Sequence, residues 1–366
     1  MNVENKIGHR ETLTLLTIMM SAKVFLSFPR DMALLGTSAG WMIVVLAGVF
    51  SLSGFYFLYA INRRFPDDSI VVAAKKITGN LFGTFLGLLI FLFALTFASL
   101  SLRHFAESFI LAVLPRTPIS VITFFFLLIL IYSALLGIET LTRTAWFFGP
   151  FIFFALLIIL LFAVPQMNLS FLYPLLGNGP GPILASSVTH LSLFSEILLF
   201  GFIAPLIRQK EKRFGVGFYS LLLAIAINTV ITFAVLVVFN YNAANRLIFP
   251  VFQLTRLIVF GEFIQRVEAI FVFLWFFTAG IQLGGLFYGA VISFAQAFNI
   301  KEHRPLVFPL AVLIFTLSML PSSMTEAVDL HDMIMSPIYS GLTFGIPFLL
   351  WLAAIIFKKR AGEANG

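Results

Sequence analysis

Long apolar runs separated by short polar loops set the pattern of this chain. A helix needs about 20 mostly apolar residues to cross the hydrocarbon core of a bilayer. Runs of that kind predict five spans at 12–35, 41–61, 81–102, 119–137 and 144–164. Five more are predicted at 183–207, 215–239, 267–294, 306–320 and 337–357. Between the two sets lies 165–182, which carries Gly177, Gly179 and Gly181 and no charge, and reads as the seam of the chain. Ten spans in two sets predict one all-α integral membrane domain with halves at 12–164 and 183–357. Because five is odd, the halves have opposite orientation, the arithmetic of a 5+5 inverted repeat.

Two of the spans are interrupted by chemistry that a lipid-facing helix does not carry. The first holds Lys23 near its middle, and an ammonium there costs at least ~2.5 to 3.5 kcal/mol unless protein or water receives it. Pro29 follows six residues later, lacks an N–H and clashes with the preceding turn, which frees carbonyls near Phe25 and Leu26. A snorkelling lysine beside a proline kink is the alternative. The sixth span carries Ser186, Ser187, Thr189, His190, Ser192, Ser195 and Glu196, then Gly201 and Pro205. Thr189, Ser192 and Glu196 fall at i, i+3 and i+7 and are expected on one helical face. Inverted-repeat transporters bind substrate at mid-membrane between two broken helices. A ligand site is therefore expected between Val24, Phe25, Ser27 and Phe28 on one side and Thr189, Ser192 and Ser195 on the other. Lys23 and Glu196 supply its charges, with Glu268 either joining them or serving as an interfacial helix-start carboxylate. Glu196 also has a structural reading, a protonated carboxyl bonded to Ser192. Polar residues are sparse at the centres of the third and eighth spans.

Charge then orients the chain. Sixteen Lys and Arg lie on the side of the N-terminus, among them Arg63, Arg64, Lys75, Lys76, Arg208, Lys210, Lys212, Arg213, Lys301 and Arg304. Six lie on the other side, and Lys23 is intramembrane, so both termini are expected in the cytoplasm. Residues 67–77 read as a short interfacial helix inside, and 245–265 as an amphipathic helix over the outer mouth. The first run lacks a small-residue cleavage site and is expected to stay as a span rather than leave as a signal peptide.

Composition narrows the function classes. Of 366 residues 60% are hydrophobic and 11% charged, far below the roughly 25% charged of soluble domains. The net charge of +7 sits in short loops and points to topology, not to nucleic acid. With no cysteine, disulfides, thiolate catalysis and iron–sulfur chemistry are excluded. His104, His303 and His331 are expected in separate loops without metal-ligand spacing. No phosphate loop, paired catalytic carboxylates or nucleophile elbow is present, so neither enzyme chemistry nor a cofactor is expected. Arg103 and Glu107 read as a surface i, i+4 bridge. Gly280, Gly284, Gly285 and Gly289 read as a close-packing helix face.

The run 22–30, AKVFLSFPR, resembles the small-x-small-Ile-Leu-x-Leu-Pro-Arg of the first helix in endospore germination receptor B subunits. These are ten-span relatives of the amino acid–polyamine–organocation permeases. The stretch 249–275, FPVFQLTRLIVFGEFIQRVEAIFVFLW, is similar to that family's seventh loop and eighth helix. The resemblance spans nearly the whole chain. It implies a leucine-transporter-like fold and a germinant receptor subunit in the spore inner membrane that senses a small nutrient such as an amino acid. A larger A subunit and a lipoprotein C subunit would be its partners. A free-standing cation- or proton-coupled amino acid transporter is the other function of such a fold. Val24 stands where the permease pattern has glycine, which narrows the backbone's approach to a ligand. Sodium-coupled members of this fold hold a cation beside the unwound first helix and the eighth helix, and the resemblance implies that Lys23 replaces it.

Overall fold

The computed structural model describes residues 6–257, 267–331 and 336–359. Among them all regular structure is helical, apart from one isolated parallel bridge between Ile7 and Ile207. The first helix, α1 (His9–Ser21), gives way to a 3-10 turn at Ala22–Phe25 and one extended residue, Leu26. α2 (Phe28–Gly36) restarts with Pro29 in its first turn, where the missing N–H is harmless and the fixed φ favours the helix. Asp31 in the same turn suits the positive end of the helix dipole. The expected span at 12–35 is therefore two short helices joined end to end.

α3 (Gly40–Arg64), α4 (Ile70–Thr78), α5 (Asn80–Ala112), α6 (Ile119–Leu136) and α7 (Ile138–Ala163) complete the first half. In the second, α8 (Pro180–Thr189) runs into a 3-10 stretch, Leu191–Leu199, before the four-residue α9 (Phe200–Ile203). α10 (Arg213–Ala244) contains Asn240 at φ 51°, and the Asn240 side chain accepts from Ala243 N at 3.0 Å, restarting a last turn. The long helix thus ends at Phe239, as the hydrophobic pattern predicts. Then come α11 (Pro250–Arg256), α12 (Val267–Ala297), α13 (Arg304–Ser318), α14 (Met324–Asp329) and α15 (Ser336–Ser340). A π-turn at Gly341–Gly345 leads into α16 (Ile346–Ile356).

Eight helical stretches among the described residues are long and apolar enough to cross a membrane. They are Phe28–Arg64, Asn80–Ala112, Ile119–Leu136, Ile138–Gln166, Pro180–Leu206, Lys210–Ala244, Phe271–Ala297 and Ser336–Ile356. Burial ranks them. In α12 72% of the most apolar window is inside the protein, against 28% in α6 and α7, so α12 is central and α6 and α7 face outward. The α12 glycines permit that position. A Cβ on Gly285 would lie 2.4 Å from Met19 Sδ of α1, and one on Gly284 3.0 Å from Ser133 Oγ of α6.

Two expectations change at the ends of the helices. α5 continues ten residues past the expected end at 102, so His104 lies in a helix and not in a loop. The same extension buries the Arg103–Glu107 pair, whose side chains are 7% and 13% exposed; it is an interior bridge and not a surface one. Arg103 Nη1 also donates to Ser318 O at 3.4 Å, tying α5 to the end of α13. Of the amphipathic helix expected at 245–265, Pro250–Arg256 is helical and packs on α12 and on the first break. Residues 258–266 lie outside the described residues.

One end of the bundle collects the basic loops. Ile7 N donates to Leu206 O at 3.0 Å and Arg208 N to Ile7 O at 3.2 Å. Lys210 pairs with Asp67 at 2.6 Å, and Arg213 donates to Pro66 O at 2.6 Å and to Pro205 O at 3.0 Å. Lys75 of α4 donates to the carbonyls of Gln296 and Ala297, at 2.8 and 2.7 Å, neutralising the exposed C-terminus of α12. Arg64 donates to Lys359 O. The loops after α3 and α9, the end of α12, Ile7 and Lys359 therefore meet on one side.

Candidate functional site: a cavity between two interrupted helices

Interrupting a helix leaves carbonyls and N–H groups that need partners. At the first break Asn228 of α10 supplies one, donating from Nδ2 to Met20 O at 3.2 Å. The break is closed by Leu26 N to Lys23 O at 3.0 Å, and Ser27 Oγ donates to Asp31 Oδ2 at 2.8 Å. At the second break His190 (φ −105°, ψ 31°) and Phe194 (φ −122°, ψ 22°) depart from helical angles. Leu193 O is turned towards Lys23 and accepts from its ammonium.

Lys23 Nζ also lies 3.4 Å from Glu196 Oε2 and 5.6 Å from the centroid of Phe194. Its side chain is 14% exposed, that of Glu196 not at all. The second carboxylate oxygen, Oε1, accepts from Gln282 Nε2 of α12 at 2.9 Å. A buried carboxylate is tolerable only when its charge is paired and its oxygens are bonded. Both conditions are met, by three elements far apart in sequence.

The pair forms part of the wall of a cavity of about 110 Å³. About 10–15 Å³ is enough to hold one water, so this is room for several waters or a small ligand. The first break contributes Lys23, Ser27, Phe28 and Asp31, and the second His190, Ser192, Leu193 and Glu196. Ser101 and His104 come from α5, and His331 and Ser336 from the segment after α13. The hydroxyls of Ser192 and Ser336 are hydrogen-bonded to each other. On the far side of Glu196 is a second, smaller cavity of about 20 Å³, with Ser195, Leu199, Gly285 and Gly289 in its wall.

Of the residues expected at a ligand site, the structure brings Lys23, Ser27, Phe28, Ser192 and Glu196 to one cavity. Val24 and Phe25 are buried elsewhere, with Phe25 against Phe271 at 5.3 Å between ring centroids. Ser195 faces the smaller cavity. Thr189 is exposed and bonds within its own helix end, to Ala185 O and Ser186 O. The expected common face of Thr189, Ser192 and Glu196 does not form, because the α-helix stops at Thr189 and the turn at His190 rotates the 3-10 stretch relative to α8. The side chain of Glu268 lies outside the described residues. Asp31, His104, His331, Ser336 and above all Gln282 were not expected here, and Gln282 contradicts the reading of the eighth span as poor in central polar groups. An amide in the middle of an apolar run was the available signal for it. Among the described residues no group of three or more His, Asp or Glu is arranged to hold a metal ion.

An all-helical multi-pass membrane protein, with a cavity lined by an ion pair between two interrupted helices, is permease-like in class. A family model described as spore germination protein matches residues 6–327, and the chain belongs to that family. It is 26% identical to spore germination protein KB of Bacillus subtilis (strain 168), over 99% of this chain and 98% of that protein. Spore germination proteins A2 and B2 of the same organism are 27% and 23% identical, each over 97% of both chains.

Proposed function

We propose that this chain is the membrane-embedded B-type subunit of a nutrient germinant receptor, and that it binds a small amino acid in the cavity between the two breaks. The observation that carries the reading is the Lys23–Glu196–Gln282 cluster in the cavity wall. A buried ion pair adds little stability over a well-packed apolar core, and its presence beside open space is what a site for a charged small molecule requires. Full-length similarity to spore germination proteins supplies the biological setting. The helices fit ten spans in a 5+5 inverted repeat of leucine-transporter-like type, with halves at 12–164 and 183–357. In this reading residues 9–36 form the first span and Arg304–Ser318 the short ninth. The collected basic loops then face the cytoplasm of the spore, below the inner membrane, with both termini. A larger A subunit and a lipoprotein C subunit complete the receptor, and Lys23 takes the place of a coupling cation, so that ligand response is indifferent to sodium.

The test is a thermal-shift screen of the purified full chain against amino acids, sugars and nucleosides. A ligand at 100 times its Kd stabilises the fold by about 2.7 kcal/mol. Stabilisation by at least one amino acid is expected; a screen in which only sugars or nucleosides act overturns the ligand class. A second reading, a cation- or proton-coupled amino acid transporter, draws on the position of Glu196 in the walls of both cavities. Substrate-dependent uptake by the isolated chain in liposomes would favour it over the receptor subunit.

A further inference from the structure

We propose that Gln282 is the acceptor for the ligand's ammonium group, so that a bound α-amino acid lies antiparallel to the Lys23–Glu196 pair. The inference rests on the proposed amino acid site. Gln282 is 3% exposed and lines the larger cavity. Its NH2 group donates to Glu196 Oε1 at 2.9 Å. A carboxylate accepts and does not donate, so this contact fixes the amide and turns its oxygen away. That oxygen, Oε1, is buried and has no hydrogen-bond partner among the described residues. A buried acceptor without a donor is costly, and the oxygen is covered from the cavity, so a shift of the Gln282 side chain uncovers it before a ligand donor removes that cost.

The neighbouring charges set the ligand's direction. Lys23 has three N–H donors, two of them directed to Leu193 O and Glu196, which leaves one for a ligand carboxylate. With the carboxylate at Lys23 and the ammonium at Gln282, beside the Glu196 end of the pair, each ligand charge meets the opposite sign. The reverse orientation sets like charges together, which a low-dielectric cavity penalises most. The site therefore takes an amine-bearing carboxylic acid in preference to its hydroxy acid analogue.

The experiment measures binding of three matched pairs to the purified full chain: L-alanine and L-lactate, L-leucine and L-2-hydroxyisocaproate, L-phenylalanine and L-phenyllactate. For whichever amino acid binds, the hydroxy acid should bind roughly ten- to a hundredfold more weakly, the worth of one buried charged donor. Gln282→Met should collapse that ratio towards one. Gln282→Glu, whose acid form still donates to Glu196 and still offers an oxygen, should preserve it. Equal binding of the two analogues by the unmutated protein, or an unchanged ratio in Gln282→Met, overturns the role of Gln282 and leaves the amino acid reading standing. Absence of binding by any amino acid overturns both. If Gln282→Met fails to assemble, the unmutated protein and Gln282→Glu still decide.

Discussion

The two interrupted helices reach the same cavity by different means. The first break is short: one 3-10 turn, one extended residue and a proline restart, after which α2 runs for nine residues. The second never recovers a long helix; nine residues of 3-10 geometry with a kink at Phe194 lead into a four-residue α9. The first supplies a cation and a helix N-terminus. The second supplies a carboxylate and a bent-out carbonyl, Leu193 O. Among the described residues the Lys23 and Glu196 charges are paired only with each other across the two breaks, so the charge balance of each half of the chain depends on the other.

Removing one side of the comparison should have the largest effect. Lys23→Ala leaves Glu196 buried and unpaired, at a cost of ~3 to 5 kcal/mol, and should lower the melting temperature and abolish ligand binding. The double variant Lys23→Met, Glu196→Leu should melt higher than either single variant, because no orphan charge remains; a double variant as unstable as the sum of the singles would show that the breaks are not coupled. Lys23→Arg should retain little ligand binding, since a planar fork fits a small cage poorly.

A smaller, sharper contrast comes from bulk. Phenylalanine at Ser27 or Ser192 fills the cavity from either break and should weaken binding while the protein still assembles. The same change at Thr189, which is exposed, should do nothing to affinity. Equal loss at all three positions would mean that the turn at His190 does not carry Thr189 away from the cavity. Asn228→Leu withdraws the donor from Met20 O and should cost about 1 to 3 kcal/mol of stability.

These residues also show what sequence reasoning could and could not see. Apolar runs are additive over 20 residues, so the eight membrane-length stretches were legible, and Lys23 with Pro29 marked the first break. The angles at His190 and Phe194 leave no propensity signature. They separate Thr189 and Ser195 from the cavity and put Ser192 and Glu196 into it, against the expectation of one α-helical face. The partner of Lys23 is in part a backbone carbonyl, Leu193 O, and a carbonyl has no identity in a sequence. Neutral amides carry no charge to mark them in an apolar run, so Gln282 and Asn228 do not stand out in the sequence. Arg103 and Glu107 read as a surface pair in the sequence because α5 outruns its hydrophobic stretch by ten residues.

The smallest expected effect lies at the basic end of the bundle. The hydrogen bond from the Lys210 ammonium holds the Asp67 carboxyl below the usual carboxylate range, against the opposing effect of burial. A lowered folded-state pKa means that the pair's contribution is present above about pH 4 and is lost as pH falls through the lowered value. Both side chains are largely exposed, 59% and 73%, so the contribution is at most about 0.5 kcal/mol. Asp67→Asn should remove that slice of acid sensitivity from the melting curve and leave ligand affinity unchanged.

The central claim is that a ligand occupies the space between the two breaks. The chain has no cysteine, so single cysteines report without background. Ser27→Cys, Ser192→Cys and Thr189→Cys should be labelled by a small thiol reagent, with and without the amino acid that raises the melting temperature. The account predicts that the ligand slows labelling at 27 and 192 together and leaves 189 untouched. Unchanged labelling at 27 and 192 in the presence of a saturating ligand would contradict it.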